Sequence, residues 1–172
     1  METPAFGMLP ERDQQLIAAA RDVAKSAYAP YSGFAVGSAV RAAGDTIATS
    51  ANLENASFGL TICAEAGALA AANAMRLYDR IEAVAIVGYK FLPNEDSSQV
   101  VTPCGRCRQL ISESAQLSGT DVVVFACSGD LKKIEKYRIS ELLPHAFGPG
   151  TVGAHVAQHS PGMPRRLKAS NR

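Results

Sequence analysis

Three cysteines and one glutamate are the residues of this chain most suited to chemistry. Cys63 and Glu65 lie in a Cys-Ala-Glu segment, and Cys104 and Cys107 lie in a later Pro-Cys-Gly-Arg-Cys segment. Three thiolates can hold one zinc ion and leave its fourth tetrahedral position open for water. Zinc lowers the pKa of such a water to near neutrality, and a neighbouring carboxylate can relay its protons. The pattern therefore predicts a catalytic zinc centre with Glu65 as the proton shuttle.

Two other interpretations of the cysteines remain open at this point. A structural zinc site is usually closed by four protein ligands, and none of the candidates for a fourth ligand has knuckle spacing to the others. These candidates are Cys127, His145, His155 and His159. A redox Cys-x-x-Cys pair is the other interpretation, and it leaves Cys63 and Glu65 without a role.

The composition is that of an ordinary globular protein. The chain has 172 residues, of which 47% are hydrophobic and 19% charged, and its net charge is +1. That charge gives no electrostatic case for binding nucleic acid or a membrane surface. No apolar run reaches the roughly 20 residues that span a bilayer, and residues 1–10 do not resemble a secretory signal. We therefore expect a cytoplasmic protein, in which clustered cysteines serve metal binding or catalysis.

The elements that must position these residues follow from hydrophobic periodicity. Helices are predicted over 11–28, 63–77 and 104–117, and strands over 34–40, 46–52, 84–87, 122–127 and 132–139. This order predicts a mixed sheet covered by helices. Both cysteine segments would then lie at helix N-termini, where the positive end of the helix dipole favours thiolates. Cys127 ends an apolar strand and is predicted to be a buried core residue.

Residues 1–150 are predicted to form one catalytic domain, with a surface loop over 91–101. Residues 151–172 are rich in Gly, Pro, Ser and basic residues without periodicity, which is typical of a flexible tail.

Four ordered blocks, at residues 28–37, 52–65, 103–109 and 142–149, resemble the small homotetrameric cytidine deaminases. The resemblance runs from Leu9 to Gly150. It implies a three-layer α/β fold of the cytidine-deaminase type, with a mixed five-stranded sheet flanked by helices. It also implies one zinc ion per subunit, hydrolytic deamination of cytidine and deoxycytidine to the uridines with release of ammonia, and a homotetramer whose sites are shared between subunits.

The resemblance also implies roles for individual residues. Cys63, Cys104 and Cys107 would bind zinc and Glu65 would relay protons. Substrate contacts would come from Phe34 against the pyrimidine ring, Asn52 and Glu54 on the ribose, Ala64, the Pro103 carbonyl on the amine, and Phe147 in a neighbouring subunit's site. From the sequence alone, Phe34 is more readily interpreted as a core residue of its strand, and Asn52 and Glu54 as a solvated strand face.

The chain departs from this family at the metal-binding segments. Ala66 stands where family members with three cysteine ligands usually have Arg, and Arg106 stands between the two later cysteines. We therefore predict that the Arg106 guanidinium offsets the thiolate charge. Phe58 replaces the usual Tyr near the subunit contact.

A similar Cys-Gly-Arg-Cys-Arg-Gln segment occurs in blasticidin S deaminases. Deamination of a modified cytosine nucleoside or of such an antibiotic is accordingly a second hypothesis. A third is a non-catalytic zinc-binding or RNA-binding protein on a deaminase scaffold. A free nucleoside is the favoured substrate because no phosphate-binding glycine loop or basic cluster lies near the motifs.

Overall fold

The computed structural model describes residues 2–91, 97–152, 155–156 and 167–168. Its helices are α1 (Glu11–Ala24), α2 (Ala64–Ala74), α3 (Gly105–Ser118) and α4 (Ile139–Leu142). Its strands are β1 (Phe34–Ala42), β2 (Ile47–Ala51), β3 (Ile81–Lys90), β4 (Val123–Ser128), β5 (Ile134–Arg138), β6 (His155–Val156) and β7 (Leu167–Lys168). The predicted order of helices and strands is confirmed up to β5, and α4 is an element that the periodicity did not reveal.

The main sheet has five strands in the order β2-β1-β3-β4-β5. Strands β3 and β4 pair in parallel, whereas the other neighbours are antiparallel. A parallel pair needs a crossover connection, and α3 supplies it. The segment that carries Cys104 and Cys107 therefore follows the carboxyl end of β3. The predicted mixed five-stranded sheet flanked by helices is confirmed.

Helices cover both faces of this sheet, so that the sheet and the two helical layers make three layers. On one face, α1 inserts Leu16, Ile17 and Ala20 into a core that includes Phe125. On the other face, α2 and α3 pack on β3 through Leu69 and other apolar residues. Strand β3 is buried along most of its length because it lies in the middle of the sheet between both helical layers.

Long-range contacts explain two of the boundaries that differ from the prediction. Helix α1 ends at Ala24, and the Tyr28 N–H donates instead to the Asn52 carbonyl at 3.0 Å. Strand β3 is longer than predicted because β1 and β4 pair along it on both sides. Helix α4, which was not predicted, is short and has a local cap, because the N–H of its N-cap residue Arg138 donates to the Glu141 carboxylate at 2.6 Å.

The C-terminal part of the chain is only partly described. Strands β6 and β7 pair antiparallel, while residues 153–154, 157–166 and 169–172 lie outside the described residues. Residues 92–96 of the predicted loop also lie outside them. A flexible tail from 151 stays a prediction. Among the helices of the described ranges, none is long and apolar enough to cross a bilayer.

Candidate active site

Two helix N-termini bring three cysteine sulfurs together. Cys63 is the N-cap of α2, Cys104 is the N-cap of α3, and Cys107 lies in the first turn of α3. The three Sγ atoms lie within 4.8 Å of one another, and those of Cys63 and Cys104 are 4.0 Å apart. Sulfurs around one tetrahedral zinc ion, with Zn–S bonds near 2.3 Å, are roughly 3.8 Å apart. The triad therefore fits a single zinc ion.

The other candidate ligands do not join this triad within the described part of the chain. Cys127 is fully buried in β4, and burial raises its pKa to about 12. The prediction that Cys127 is a core residue is confirmed. His145 is exposed and is not part of the sulfur group. The side chains of His155 and His159 lie outside the described residues. The described ligands thus form an open three-sulfur set, which is typical of a catalytic rather than a structural zinc site.

The electrostatics of the triad favour a divalent cation. Burial raises the pKa of Cys107 and of Cys63, and the neighbouring Cys104 sulfur adds to the shift at Cys63. Burial opposes ionisation of Cys104 too, but hydrogen bonds led by the Cys107 backbone N–H hold its pKa below the usual value. Three thiolates at this spacing repel one another, so the set needs a cation, and zinc suits soft sulfur ligands.

Glu65 lies in the first turn of α2, two residues after Cys63, and is only 5% exposed. Burial raises the pKa of its carboxyl, while a hydrogen bond with the Cys107 thiol acts in the opposite direction. The carboxyl therefore lies beside the Cys107 thiol without being one of the three clustered ligands. This position suits a group that exchanges protons with a water on the metal.

Phe34 begins β1 and is half-buried, with its ring lying over Gly88 of β3. A methyl group at Gly88 would lie 2.8 Å from Cε1 of this ring and 2.8 Å from Cγ2 of Val101. Gly88 therefore provides the space that the ring occupies. The sequence analysis did not identify Gly88, although a glycine inside an apolar strand is a signal of close approach.

Asn52 and Glu54 lie just after β2 and bind backbone groups at the start of β1. Asn52 Oδ1 accepts the Val36 N–H at 2.9 Å, and its Nδ2 donates to the Phe34 carbonyl at 3.0 Å. Glu54 Oε2 accepts the N–H groups of Tyr31 and Ser32 at 2.9 and 3.2 Å. Hydrogen bonds led by the Ser32 side chain lower the pKa of Glu54. Both side chains therefore hold the segment that presents Phe34.

The remaining predicted residues lie on or near the two ligand-bearing helices. Ala64 is fully buried at the first position of α2, and Pro103, just before α3, is also buried. The ring of Phe147 is 58% exposed, and its carbonyl accepts a hydrogen bond from Gln109 of α3 at 2.8 Å. Arg106 is exposed and has no hydrogen bond or ion pair among the described residues, so its predicted role rests on sequence spacing alone.

Comparison with known proteins identifies the family of this chain. The family described as "Cytidine and deoxycytidylate deaminase zinc-binding region" matches residues 10–127. The cytidine deaminase of Halalkalibacterium halodurans is 40% identical over 134 residues, which is 78% of this chain and 92% of that protein. The cytidine deaminase of Mycobacterium tuberculosis is 35% identical over 129 residues, which is 75% and 84% of the two chains.

A solved structure agrees with these relatives. The crystal structure of cytidine deaminase from Burkholderia pseudomallei superposes with a TM-score of 0.67 at 32% identity, and the match covers 81% of this chain and 100% of that one. Residues 10–127, which the family matches, contain the sulfur triad, the buried glutamate and the whole of β1 to β3. This chain therefore belongs to the cytidine and deoxycytidylate deaminase family of zinc-binding proteins.

Proposed function

We propose that this protein hydrolyses cytidine and deoxycytidine to uridine and deoxyuridine with release of ammonia. The observation that carries the proposal is the open triad of sulfurs with the buried carboxyl of Glu65 beside it. Relatives that are 35% and 40% identical over three quarters of the chain are cytidine deaminases. The same reaction accounts for both the metal ligands and the carboxyl.

The catalytic role that we propose for each residue follows from the position of its side chain. Cys63, Cys104 and Cys107 would hold zinc, and the metal would supply an activated water for attack on the ring carbon that bears the amine. Glu65 accepts a proton from the water and gives it to the ring nitrogen. It then passes the second proton to the amine, which leaves as ammonia, so that water and cytidine balance uridine and ammonia.

We assign substrate binding to residues around the start of β1 and of the ligand-bearing helices. The ring of Phe34 would pack against the pyrimidine, and Ala64 would line the base pocket. Asn52 has a second N–H on Nδ2, and the Glu54 carboxylate has further lone pairs, so both can bind the ribose hydroxyls while holding β1. The Pro103 carbonyl would accept a hydrogen bond from the exocyclic amine.

We also propose a homotetramer whose sites are shared between subunits. An apolar patch formed by Tyr28, Tyr31, Leu53, Phe58, Leu60 and Ile62 is exposed. The rings of Tyr31 and Phe58 meet edge to face at 5.7 Å, and the backbone of Leu53 pairs with both Tyr28 and Ile62. Such a patch is typical of a protein interface. The exposed ring of Phe147 would reach into a neighbouring site.

We place the enzyme in the cytoplasm because none of its four cysteines is in a disulfide, as is usual in a reducing compartment. The net charge of +1 favours a free nucleoside over a nucleic acid.

The mass of the native particle in solution tests the tetramer, and a monomer with full activity would contradict shared sites.

Release of ammonia from a panel of cytosine compounds, with zinc measured on the same sample, tests the activity. The panel holds cytidine, deoxycytidine, cytosine, cytidine monophosphate and blasticidin S. We expect turnover of the two nucleosides with about one zinc ion per chain. Faster turnover of blasticidin S would favour the antibiotic as substrate. A zinc-loaded protein that deaminates none of the compounds would overturn the proposal and favour a non-catalytic role.

Gly88→Ala tests whether the space under Phe34 matters for binding. The added methyl must displace the Phe34 ring or Val101, since each has an atom 2.8 Å away. We expect KM for cytidine to rise about tenfold, with a smaller change in kcat, because a shifted ring misplaces the base. Gly7→Ala is the matched control, since a methyl there meets nothing within 4 Å. An unchanged KM in Gly88→Ala, measured by steady-state kinetics, would contradict this role.

A further inference from the structure

Arg108 connects the segment before a zinc ligand to the C-terminal part of the domain. It follows Cys107 directly on α3 and is partly buried. Its Nε donates to the Pro103 carbonyl at 2.8 Å, and its Nη1 donates to the Leu142 carbonyl at 3.3 Å. One planar guanidinium thus spans two carbonyls that are far apart in sequence.

The Pro103 carbonyl depends on this bond for its direction. Pro103 is buried, and Cys104 after it has extended backbone (φ −66°, ψ 168°), so the Pro103 carbonyl precedes the first hydrogen bond of α3. A buried carbonyl without a partner is costly, and a charged donor both satisfies it and fixes its orientation. The carbonyl has a second lone pair, which stays available to an amine in the site.

The second carbonyl belongs to Leu142, the last residue of α4, and the chain continues from there to Phe147. Two other contacts attach this segment to the same helix. Gln109 donates to the Phe147 carbonyl at 2.8 Å, and a methyl group at Gly148 would collide with the side-chain amide of Gln116. Helix α3 therefore carries one zinc ligand at its N-cap and one in its first turn, and its side attaches the segment with the exposed aromatic ring.

We infer that Arg108 is a positioning residue for deamination, which aims the Pro103 carbonyl at the leaving amine and holds it in register with the segment from Leu142 to Gly148. The inference rests on the proposed function for the identity of the amine. The two hydrogen bonds belong to the structure and can be tested separately. Lysine has a single ammonium centre and lacks the planar fork, so it does not replace both bonds.

The decisive measurement compares two ligands in Arg108→Ala. Cytidine presents an exocyclic amine to the Pro103 carbonyl, whereas the nucleoside with hydrogen in place of that amine does not. We expect kcat for cytidine to fall about 10- to 100-fold, as for loss of a supporting partner of a metal site. Zinc content and the inhibition constant of the amine-free nucleoside should stay within about threefold, a change of under 1 kcal/mol.

Arg138→Ala is the matched control, because Arg138 Nη1 also donates to a backbone carbonyl, that of Asp121, at 2.9 Å. That bond joins β5 to the residues before β4, and we expect no selective effect on cytidine there. An unchanged kcat in Arg108→Ala would overturn the inference. Equal losses for cytidine and for the amine-free nucleoside would also overturn it, since they would indicate a general structural role.

Amide hydrogen exchange supplies a readout that does not depend on turnover. In Arg108→Ala we expect faster exchange both at 101–104 and at 142–148, and in Arg138→Ala at neither. Unchanged exchange in these two segments would overturn the role of Arg108 in joining them. This readout does not require turnover, so it distinguishes failure of the inference from failure of the proposed function. If Arg108→Ala does not fold, Arg108→Lys is used instead, because lysine keeps the positive charge and the aliphatic part of the side chain. We expect the same selective loss of kcat for cytidine in Arg108→Lys.

Discussion

Replacing Glu65 by glutamine is expected to lower kcat for cytidine by about 10²- to 10⁴-fold, the usual contribution of a positioned acid–base group. Glutamine has nearly the volume of glutamate, so the 5% exposed site keeps its packing. It cannot, however, take a proton from the water or pass one to the amine. Because Glu65 lies outside the sulfur triad, zinc content should not change.

The control for this change is Glu11→Gln. Glu11 is also a glutamate in the first turn of a helix, but it is exposed on α1 and has no place in the site. We expect wild-type kinetics from it. Steady-state rates with zinc content on the same samples make the test. Activity of Glu65→Gln within tenfold of wild type, or loss of its zinc, would contradict the assignment of Glu65 as proton shuttle.

Replacing Cys107 by serine is expected to abolish turnover through loss of the metal. Cys107 is a fully buried ligand in the first turn of α3. The serine hydroxyl does not ionise at neutral pH and is a poor ligand for zinc. Only two thiols then remain, and we expect them to bind the zinc ion weakly. We expect zinc affinity to fall more than about 100-fold, beyond the usual effect of losing an outer-shell partner. Metal analysis and titration with a zinc chelator measure this.

Thermal unfolding gives a second view of the same change. A metal that binds only the folded state stabilises it, so added zinc should raise Tm of the wild-type protein and have little effect on Cys107→Ser. Cys127→Ala is the matched control, since it removes another buried thiol that is not in the triad. It should lose some stability and keep its zinc. A Cys107→Ser protein with one zinc ion per chain would contradict the three-sulfur site.

Local pattern was enough to predict most of the elements. Hydrophobic periodicity predicted the strands at β1 and β2, and Gly44 in the turn between them has φ +82°, which glycine adopts readily. Boundaries were less predictable. Helical propensity continues past Ala24, but the pairing of Tyr28 with Asn52 ends the helix. That pairing is a contact between distant residues, and no window of sequence contains it.

Some residues around the site were predictable from local spacing, whereas others were not because their roles depend on tertiary contacts. Cys107 and Glu65 were recognisable because each lies within a few residues of a candidate cysteine ligand and on the first turn of a helix. Gly88, Arg108 and Gln109 were not identified, although the last two follow Cys107 directly. Nothing in their spacing says which backbone group each will meet. Their partners include Phe34, Leu142 and Phe147, which lie in distant parts of the chain.

The sequence by itself determined the chemistry on offer: three thiols, one carboxyl beside them, and two helix starts to hold them. Only the tertiary structure decided that Cys63 meets Cys104 with 4.0 Å between their sulfurs and that one guanidinium joins Pro103 to Leu142. The physical reason is the range of the interactions. Helical periodicity acts over a few residues, whereas the parallel pairing of β3 with β4 and the crossover through α3 set which distant groups become neighbours.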